Sequence, residues 1–415
     1  MSHKSFKIKL EINNKQEGLF IQHAGVARHA YNQGLAHCND LFKNGEKIPS
    51  AIDLHKWLVE VVKKENTWYY NSSKCSPQQA LRDLQNSFKN FHRIQKESGY
   101  KLLHTKIIKG KKEYVGLQGL PAFKKKNDKD SFYLEGCIHI NSNYIKLPRI
   151  GWVKLAEKIN IDSIKNCRIS KKANWWFISF KANFIPKYIC KKYNSVGVDL
   201  GIKTLATLSS GEYFDNIKPY KNAKLKLRKQ QKEVSRKYKK GAKNQSSNYK
   251  KAVVRFLKTN NTIVNIRKDY LHKITTYLAK NYEVVVIENL SVKTMIKRHR
   301  ISSELLDAGF YEFKRQLLYK KEWYGGSLII ANQYFPSSKL CSCCGHKKDS
   351  LKLSERNYNC EKCFIVLDRD YNASLNLNNL AVSSTVSAFG NNSFVDKSTQ
   401  LIDELGIKHQ MFTFE

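Results

Sequence analysis

The chain has 415 residues, 41% of them hydrophobic and 12% aromatic, which is enough apolar mass for several packed domains and excludes both wholesale disorder and a small stapled scaffold. Its charge is the anomaly: 74 Lys and Arg against 35 Asp and Glu give a formal +39, a field that attracts polyanions and points to nucleic acid as partner. Apolar runs such as Val284 to Ile287 fall far short of the ~20 residues a membrane span needs, and the N-terminus has no apolar signal core, so no membrane contact and a cytoplasmic location are expected.

In chain order, Phe6, Ile8, Leu10 and Ile12 alternate with Lys7, Lys9 and Glu11, which predicts a half-buried strand. A helical unit follows, with Leu81, Leu84, Phe88 and Phe91 at helical spacing. A basic loop surrounds Pro121, and β-branched and aromatic residues return over 132–147 and 168–184. This predicts a β domain (1–14 and 105–185) carrying a helical insertion (15–104). VGVDLGIKTLATLSSGEYF reads as two strands joined by a Ser-Gly turn. Residues 218–258 hold sixteen Lys or Arg and a single acid, Glu233, which predicts a basic helical hairpin suited to phosphates. Leu257, Val264, Leu271 and Leu278 recur at sevens with Ile274 between, the pattern of a packed seam. A buried strand (283–288), a helix (about 309–323), a strand (327–331) and a short helix from about 371 complete the order, and residues 382–415 read as an accessory or disordered tail.

Five of the ten cysteines are scattered singly, and five crowd between 341 and 363, which favours a reducing compartment and one metal site. Cys341 and Cys344 form one C-x-x-C pair, Cys360 and Cys363 another, with fifteen residues between: the spacing of a zinc ribbon. Four thiolates leave no open coordination position, so one zinc ion would be structural; Cys343 would point away. Three acids stand at element ends: Asp199 after VGV, Glu288 after VVVI, and Asp370 at the start of the last helix, with Asp368 beside it. Singly they read as a turn residue, a strand-end charge and a helix cap. Together they would repel unless divalent cations neutralise them, which is the arrangement of a two-metal phosphodiesterase using two Mg2+, with Mn2+ as an alternative.

VGVDLGIKTLATLSSG, IENLSVKTM, FPSSKLCSCCG with the later CEKC, and LDRDYNASLNL resemble, in order along 196–380, the nuclease and zinc-ribbon regions of the TnpB family, transposon-encoded RNA-guided endonucleases. AGVARHAYNQGLA, QQALRDLQNSFKNF, GLPAFKKK and IKLPRIGWVKL resemble the family's recognition and wedge segments. The resemblance implies an α/β multidomain chain: an RNase H-like (RuvC) nuclease domain at 186–335 and 366–381, an inserted zinc ribbon at 336–365, and a β-barrel-like wedge domain with a helical recognition insertion. It also implies a guide RNA from the transposon end and double-stranded target DNA read beside a short adjacent motif, and the length with a single complete acidic set fits one protein copy per guide. Asp199, Glu288 and Asp370 fall on the family's catalytic acids, and the four paired cysteines on its zinc ligands. In KCSPQQAL, Lys74, Cys75 and Gln78 would stand at base edges of the adjacent motif, glutamine being suited to adenine. A stand-alone miniature type V CRISPR effector and an RNA-guided repressor without cleavage share most of these motifs.

Overall fold

A computed structural model of the chain describes residues 2–97, 103–108, 111–117, 119–126, 130–161, 164–242, 244–297, 302–352 and 354–389. Most of the expected tail, 390–415, lies outside the described residues. The chain divides into two units, 1–184 and 185–415.

In the first unit, β1 (Ser2–Glu11) buries Ile8 and Leu10 and turns Lys7 and Lys9 outward. Next, α1 (Asn14–Lys43) opens on a capping box in which Asn13 and Gln16 each accept the other's backbone N–H. After α2 (Ala51–Trp57), a π-helical turn (Leu58–Val62) and the single turn α3 (Lys63–Glu65) comes α4 (Cys75–Glu97), whose Leu81, Leu84, Phe88 and Phe91 are all buried as their spacing predicts. The chain continues through a hairpin of β2 (Leu103–Ile108) and β3 (Lys111–Leu117), then β4 (Ser131–Glu135), β5 (His139–Asn141), β6 (Tyr144–Leu147), β7 (Gly151–Leu155), β8 (Asn166–Lys172) and β9 (Trp175–Phe184). Seven strands form one antiparallel sheet in the order β4-β8-β9-β1-β7-β6-β5. The first strand is therefore its centre, and α1 to α4 are inserted between that centre and the remaining strands. Phe20 of α1 meets Phe132 and Trp176 edge-on, with ring centroids 5.7 and 5.2 Å away, and seats the helix on the sheet.

The second unit contains β10 (Tyr193–Asp199), β11 (Thr204–Leu208), β12 (Tyr213–Asp215), α5 (Pro219–Lys237), α6 (Ser247–Asn281), β13 (Tyr282–Glu288), α7 (Val292–Lys297), α8 (Ser302–Ala308), α9 (Phe310–Tyr324), β14 (Ser327–Ala331), β15 (Asn357–Asn359), β16 (Val366–Asp368) and α10 (Arg369–Phe389). Three strands stand where two were expected, because the Ser-Gly turn joins β11 to β12 while β10 reaches β11 through 200–203. The sheet order is β12-β11-β10-β13-β14, antiparallel through the first three and parallel among β10, β13 and β14. The parallel strands are apolar runs because both faces are covered. Val196, Val198, Val285 and Ile287 pack with Leu271, Ile274 and Leu278 of α6 and Phe313 and Leu317 of α9, while Val284, Val286 and Ile329 pack with Leu377 and Ala381 of α10.

Two expectations about helices are corrected, and the expected basic hairpin is present as α5 and α6. The seam on α6 is real only at its C-terminal half: Leu271, Ile274 and Leu278 are buried, whereas Leu257 and Val264 are 40% and 43% exposed. A helix of 35 residues runs about 50 Å, so its first half extends past the sheet toward α5 and buries Ala252 and Ile263 instead. The helix expected from 371 begins at Arg369 and continues to Phe389, past the expected domain end at 381. The basic hairpin is anchored by two acids: Glu233 pairs with Lys237 and Arg255, both at 2.5 Å, while buried Asp307 of α8 accepts the N–H groups of Tyr220 and Lys221 at 3.0–3.2 Å and pairs with Arg267 at 2.8 Å. Asp307 thereby caps α5, whose own cap residue Lys218 is left-handed and makes no side-chain capping bond. No helix among the described residues is long and apolar enough to cross a membrane.

Helix α10 meets β10 at Gly197, where a Cβ would lie 2.0 Å from the carbonyl oxygen of Ser374 and 2.5 Å from the backbone nitrogen of Asn378. Both are main-chain atoms of α10, which cannot yield as a flexible side chain would. Gly197→Ala should therefore destabilise the protein by ~3 kcal/mol or more in denaturant unfolding; a cost below about 1 kcal/mol would mean that this contact is loose.

Candidate active site

The period of two along a strand decides which carboxylates meet. Val196 and Val198 face α6 and α9, so Gly197 and Asp199 face α10; Val285 and Ile287 face α6 and α9, so Val284, Val286 and Glu288 face α10. Because β10 and β13 are adjacent and parallel with Val198 beside Ile287, Asp199 and Glu288 end neighbouring strands on the same face. Ser374 touches Gly197, and Asp370 lies one turn earlier on α10, at the end of the helix that reaches Asp199. Asp368 plays another part, since its carboxylate accepts the N–H groups of Asp370 and Tyr371 at 2.9 and 3.0 Å, which makes it the helix cap.

Burial pushes the Asp199 carboxyl well above the usual range, the charges of Glu288, Asp370 and Asp368 push it the same way, and Arg369 opposes them. Glu288 is also raised, chiefly by burial with Asp370 adding to it, while the Ser337 hydroxyl, which donates to Glu288 Oε1, pulls it back. Arg369 stands 3.3 Å from Asp370. Two carboxyls held above their usual range at one end of the sheet are short of positive charge, and an all-oxygen donor set suits a hard cation such as Mg2+ or Mn2+. A cavity of about 460 Å³ opens beside Asp370, lined also by Asp368, Lys203, Thr207, Tyr213, Arg356 and Tyr371, so two cations and two carboxylates share its wall.

The four paired cysteines converge more tightly. Their sulfur atoms all lie within 4.8 Å of one another, and no other group of three or more His, Cys, Asp or Glu ligands among the described residues, the three carboxylates included, is this close. Cys341 and Cys363 sulfurs are 3.5 Å apart, as are those of Cys344 and Cys360. Each pair sits in a turn closed onto its first cysteine: Gly345 N–H donates to the Cys341 carbonyl at 3.0 Å and Phe364 N–H to the Cys360 carbonyl at 3.1 Å. Both turn residues are left-handed (φ 71° and 59°), at no steric cost for Gly345 and against the preference of Phe364, which is 82% exposed. Backbone N–H groups of Cys363 and then Lys362 point at the Cys360 sulfur, against the effect of burial, and bring its thiol down to about 6. Four sulfurs at this spacing fit one tetrahedral zinc ion with no open position. Cys343 is exposed, outside the set.

Lys74, Cys75 and Gln78 belong to the first unit, at the start of α4: Lys74 is exposed, Cys75 and Gln78 are half-buried, and the Cys75 sulfur lies 4.0 Å from the Glu135 carbonyl. Ser337, Lys203 and Arg356 escaped the sequence reading. Only Ser337 had a signal, its place in FPSSKLC four residues before the first ligand.

Residues 189–299 match the family OrfB_IS605, described as "Probable transposase", residues 310–377 match "Cas12f1-like, TNB domain", and residues 1–47 match "Helix-turn-helix domain" of the same OrfB_IS605 group. The last stretch is here a strand and one continuous helix. Along 406 residues, 93% of this chain and 94% of the relative, it is 30% identical to "Putative RNA-guided DNA endonuclease InsQ" of Escherichia coli (strain K12). The chain belongs to the TnpB family. A Streptomyces pristinaespiralis relative, "Putative RNA-guided DNA endonuclease", is also 30% identical, over 93% of this chain and 91% of its own length. The fold resembles that of a Cas12f1 chain solved by cryo-electron microscopy with sgRNA and target DNA, at a TM-score of 0.51 and 13% identity over 91% of this chain and 98% of that one.

Cys360→Ser should reduce metal analysis of the purified protein from one zinc per chain to a small fraction of that; a full equivalent retained would remove the thiolates from the site. Asp199 has its folded-state pKa above the unfolded value, so it lowers stability increasingly as pH rises from the unfolded toward the folded pKa. Asp199→Asn lacks this cost and should raise the melting temperature of cation-free protein at pH 7.5 by about 2–4 °C, while Mg2+ should stabilise the parent and not the variant.

Proposed function

We propose that the protein is an RNA-guided DNA endonuclease whose cutting site is made by Asp199, Glu288 and Asp370. The observation that carries the reading is that Asp199 and Glu288 end adjacent parallel strands on the face covered by α10, whose first turn bears Asp370, in a chain of net charge +39. The names of the two full-length relatives support the same activity. The sheet of the second unit, with parallel β10, β13 and β14 and helices on both faces, supports an RNase H-like (RuvC) nuclease domain at 186–335 and 366–381, with 336–365 as a zinc ribbon. On this reading residues 1–14 and 105–185 are the wedge domain, and 15–104 the recognition helices.

Two Mg2+ ions, held by the three carboxylates, would generate the attacking hydroxide at neutral pH and stabilise the leaving oxygen. The protein's own groups do the rest. Lys203 and Arg356 balance phosphate charge along the cavity beside Asp370, and Asp368 fixes the first turn of α10. The cations of α5, among them Lys224, Lys226, Arg228, Lys229 and Lys232, are exposed and available to a phosphate backbone. Lys74, Cys75 and Gln78 read the duplex next to the target, with Gln78 suited to an adenine edge. Pairing with a guide RNA from the transposon end selects the target, one protein copy per guide, in the cytoplasm at the nucleoid.

With copurified RNA, Mg2+ and a target library, Asp199→Ala and Glu288→Ala should each lower cleavage by on the order of 10³-fold or more while RNA-dependent target binding in a gel-shift assay is kept. Parental cutting by either variant would remove that residue from the site. Sequencing the copurified RNA should return a transposon-end transcript; a repeat-array transcript would assign the chain to a CRISPR effector.

A further inference from the structure

A line of buried hydrogen bonds joins the first cysteine knuckle to Glu288. Asn372 and Asn376 stand one turn apart on α10, 0% and 5% exposed. The Asn372 side-chain oxygen accepts the N–H of Ser342, inside the knuckle, at 3.0 Å, and its nitrogen donates to the Leu340 carbonyl at 2.7 Å. Asn376 donates to the same Leu340 carbonyl and to that of Ser337, both at 2.7 Å. Ser337 is 3% exposed, and its hydroxyl donates to Glu288 Oε1. The peptide between Ser337 and Cys341 is closed by Lys339 and Leu340 N–H groups on the Pro336 carbonyl, at 2.9 and 3.1 Å.

Asparagine is a poor helix former, and burying two of them is unfavourable unless every polar atom finds a partner. Here both side chains bond to the peptide that carries Ser337 into the carboxylates, and neither supports the helix that bears it. A hydroxyl has one proton to give. Ser337 gives it to one oxygen of Glu288, which fixes the rotation of that carboxylate and leaves the other oxygen for a cation. Partners of this kind, bonded to a ligand and not to the metal, change metal affinity by about 10–100-fold when removed.

We propose that Ser337 is a positioning residue for Glu288, and that Asn376 and Asn372 tie its placement to the folded first knuckle, so that divalent-cation affinity at the carboxylates depends on the integrity of the thiolate centre. The inference rests on the reading of Asp199, Glu288 and Asp370 as the cation site, and the experiment separates the two.

Mn2+ binding to the full chain with its copurified RNA is measured by calorimetry for the parent, Ser337→Ala, Ser337→Thr, Asn376→Leu and Glu288→Gln, with zinc content and melting temperature recorded for each. Ser337→Ala should weaken Mn2+ binding about tenfold with one zinc retained. Ser337→Thr, which keeps the hydroxyl, should restore most of that affinity, and Asn376→Leu should weaken binding although Ser337 is untouched. In cleavage, Ser337→Ala should raise the half-saturating Mg2+ concentration by a similar factor and recover most of the rate at saturation. A general loss of fold would instead lower the rate at every concentration and release zinc, and that result would overturn the positioning role. Unchanged Mn2+ affinity in Ser337→Ala, with Glu288→Gln losing binding, overturns the inference and leaves the cation site standing. Parental binding by Glu288→Gln overturns both.

Discussion

The contact of α10 with β10 at Gly197 is what the second unit depends on. A strand and a helix normally keep a layer of side chains between them, yet here a Cβ on the strand would overlap a helix carbonyl. The consequence is positional. With the helix backbone drawn onto the strand, the first turn of α10 comes to the end of β10, and Asp370 enters the electrostatic neighbourhood of Asp199 and Glu288. The same helix presents Asn372 and Asn376 to the knuckle peptide on another side. One missing methyl group thus permits both the carboxylate grouping and the docking of the cysteine segment.

Charge explains where the remaining constraints fall. A chain with 74 cations has few acids to give, and each of those tied into the structure holds one place. Asp307 caps α5 and takes Arg267; Glu233 closes the hairpin through Arg255; Asp368 caps α10. Cations of α5 such as Lys224, Lys226 and Arg228 are exposed and remain in water, where desolvation costs nothing. The acids at the strand ends are the opposite case, since burial and neighbouring carboxylates hold Asp199 and Glu288 above the usual carboxylate range.

Local patterns were legible and contacts between distant segments were not. Alternation placed β1, and helical spacing placed Leu81, Leu84, Phe88 and Phe91, because in each case a single face touches a single core. The two C-x-x-C pairs announced themselves, since a knuckle is a property of four consecutive residues. The seam on α6 misled because the heptad pattern continues past the point where the sheet that buries it ends. Gly197 acquires its meaning only from the segment packed on it, since a glycine inside a strand marks close backbone approach without saying by what. Ser337 was invisible because its partner is 49 residues away, and nothing in FPSSKLC says which carboxylate lies above it. Asp307 was passed over for the same reason, since the Tyr220 N–H that it accepts is 87 residues away.

The cysteine segment lies between β14 and α10, and the way it leaves explains why it belongs next to the carboxylates. Asp368 is the last residue of β16, paired with Asn357 of β15, and it is also the residue whose carboxylate caps α10. Strand and helix therefore share one residue with no linker between them. Any shift of the β15–β16 hairpin moves the cap, and the cap sets the direction of the turn that bears Asp370. At the other end of the segment, Ser337 lies four residues before Cys341 and already touches Glu288. Both ends of the cysteine segment thus meet a carboxylate: Ser337 donates to Glu288 before it, and Asp368 after it caps the turn that bears Asp370, so a displacement of the segment acts on both acids at once.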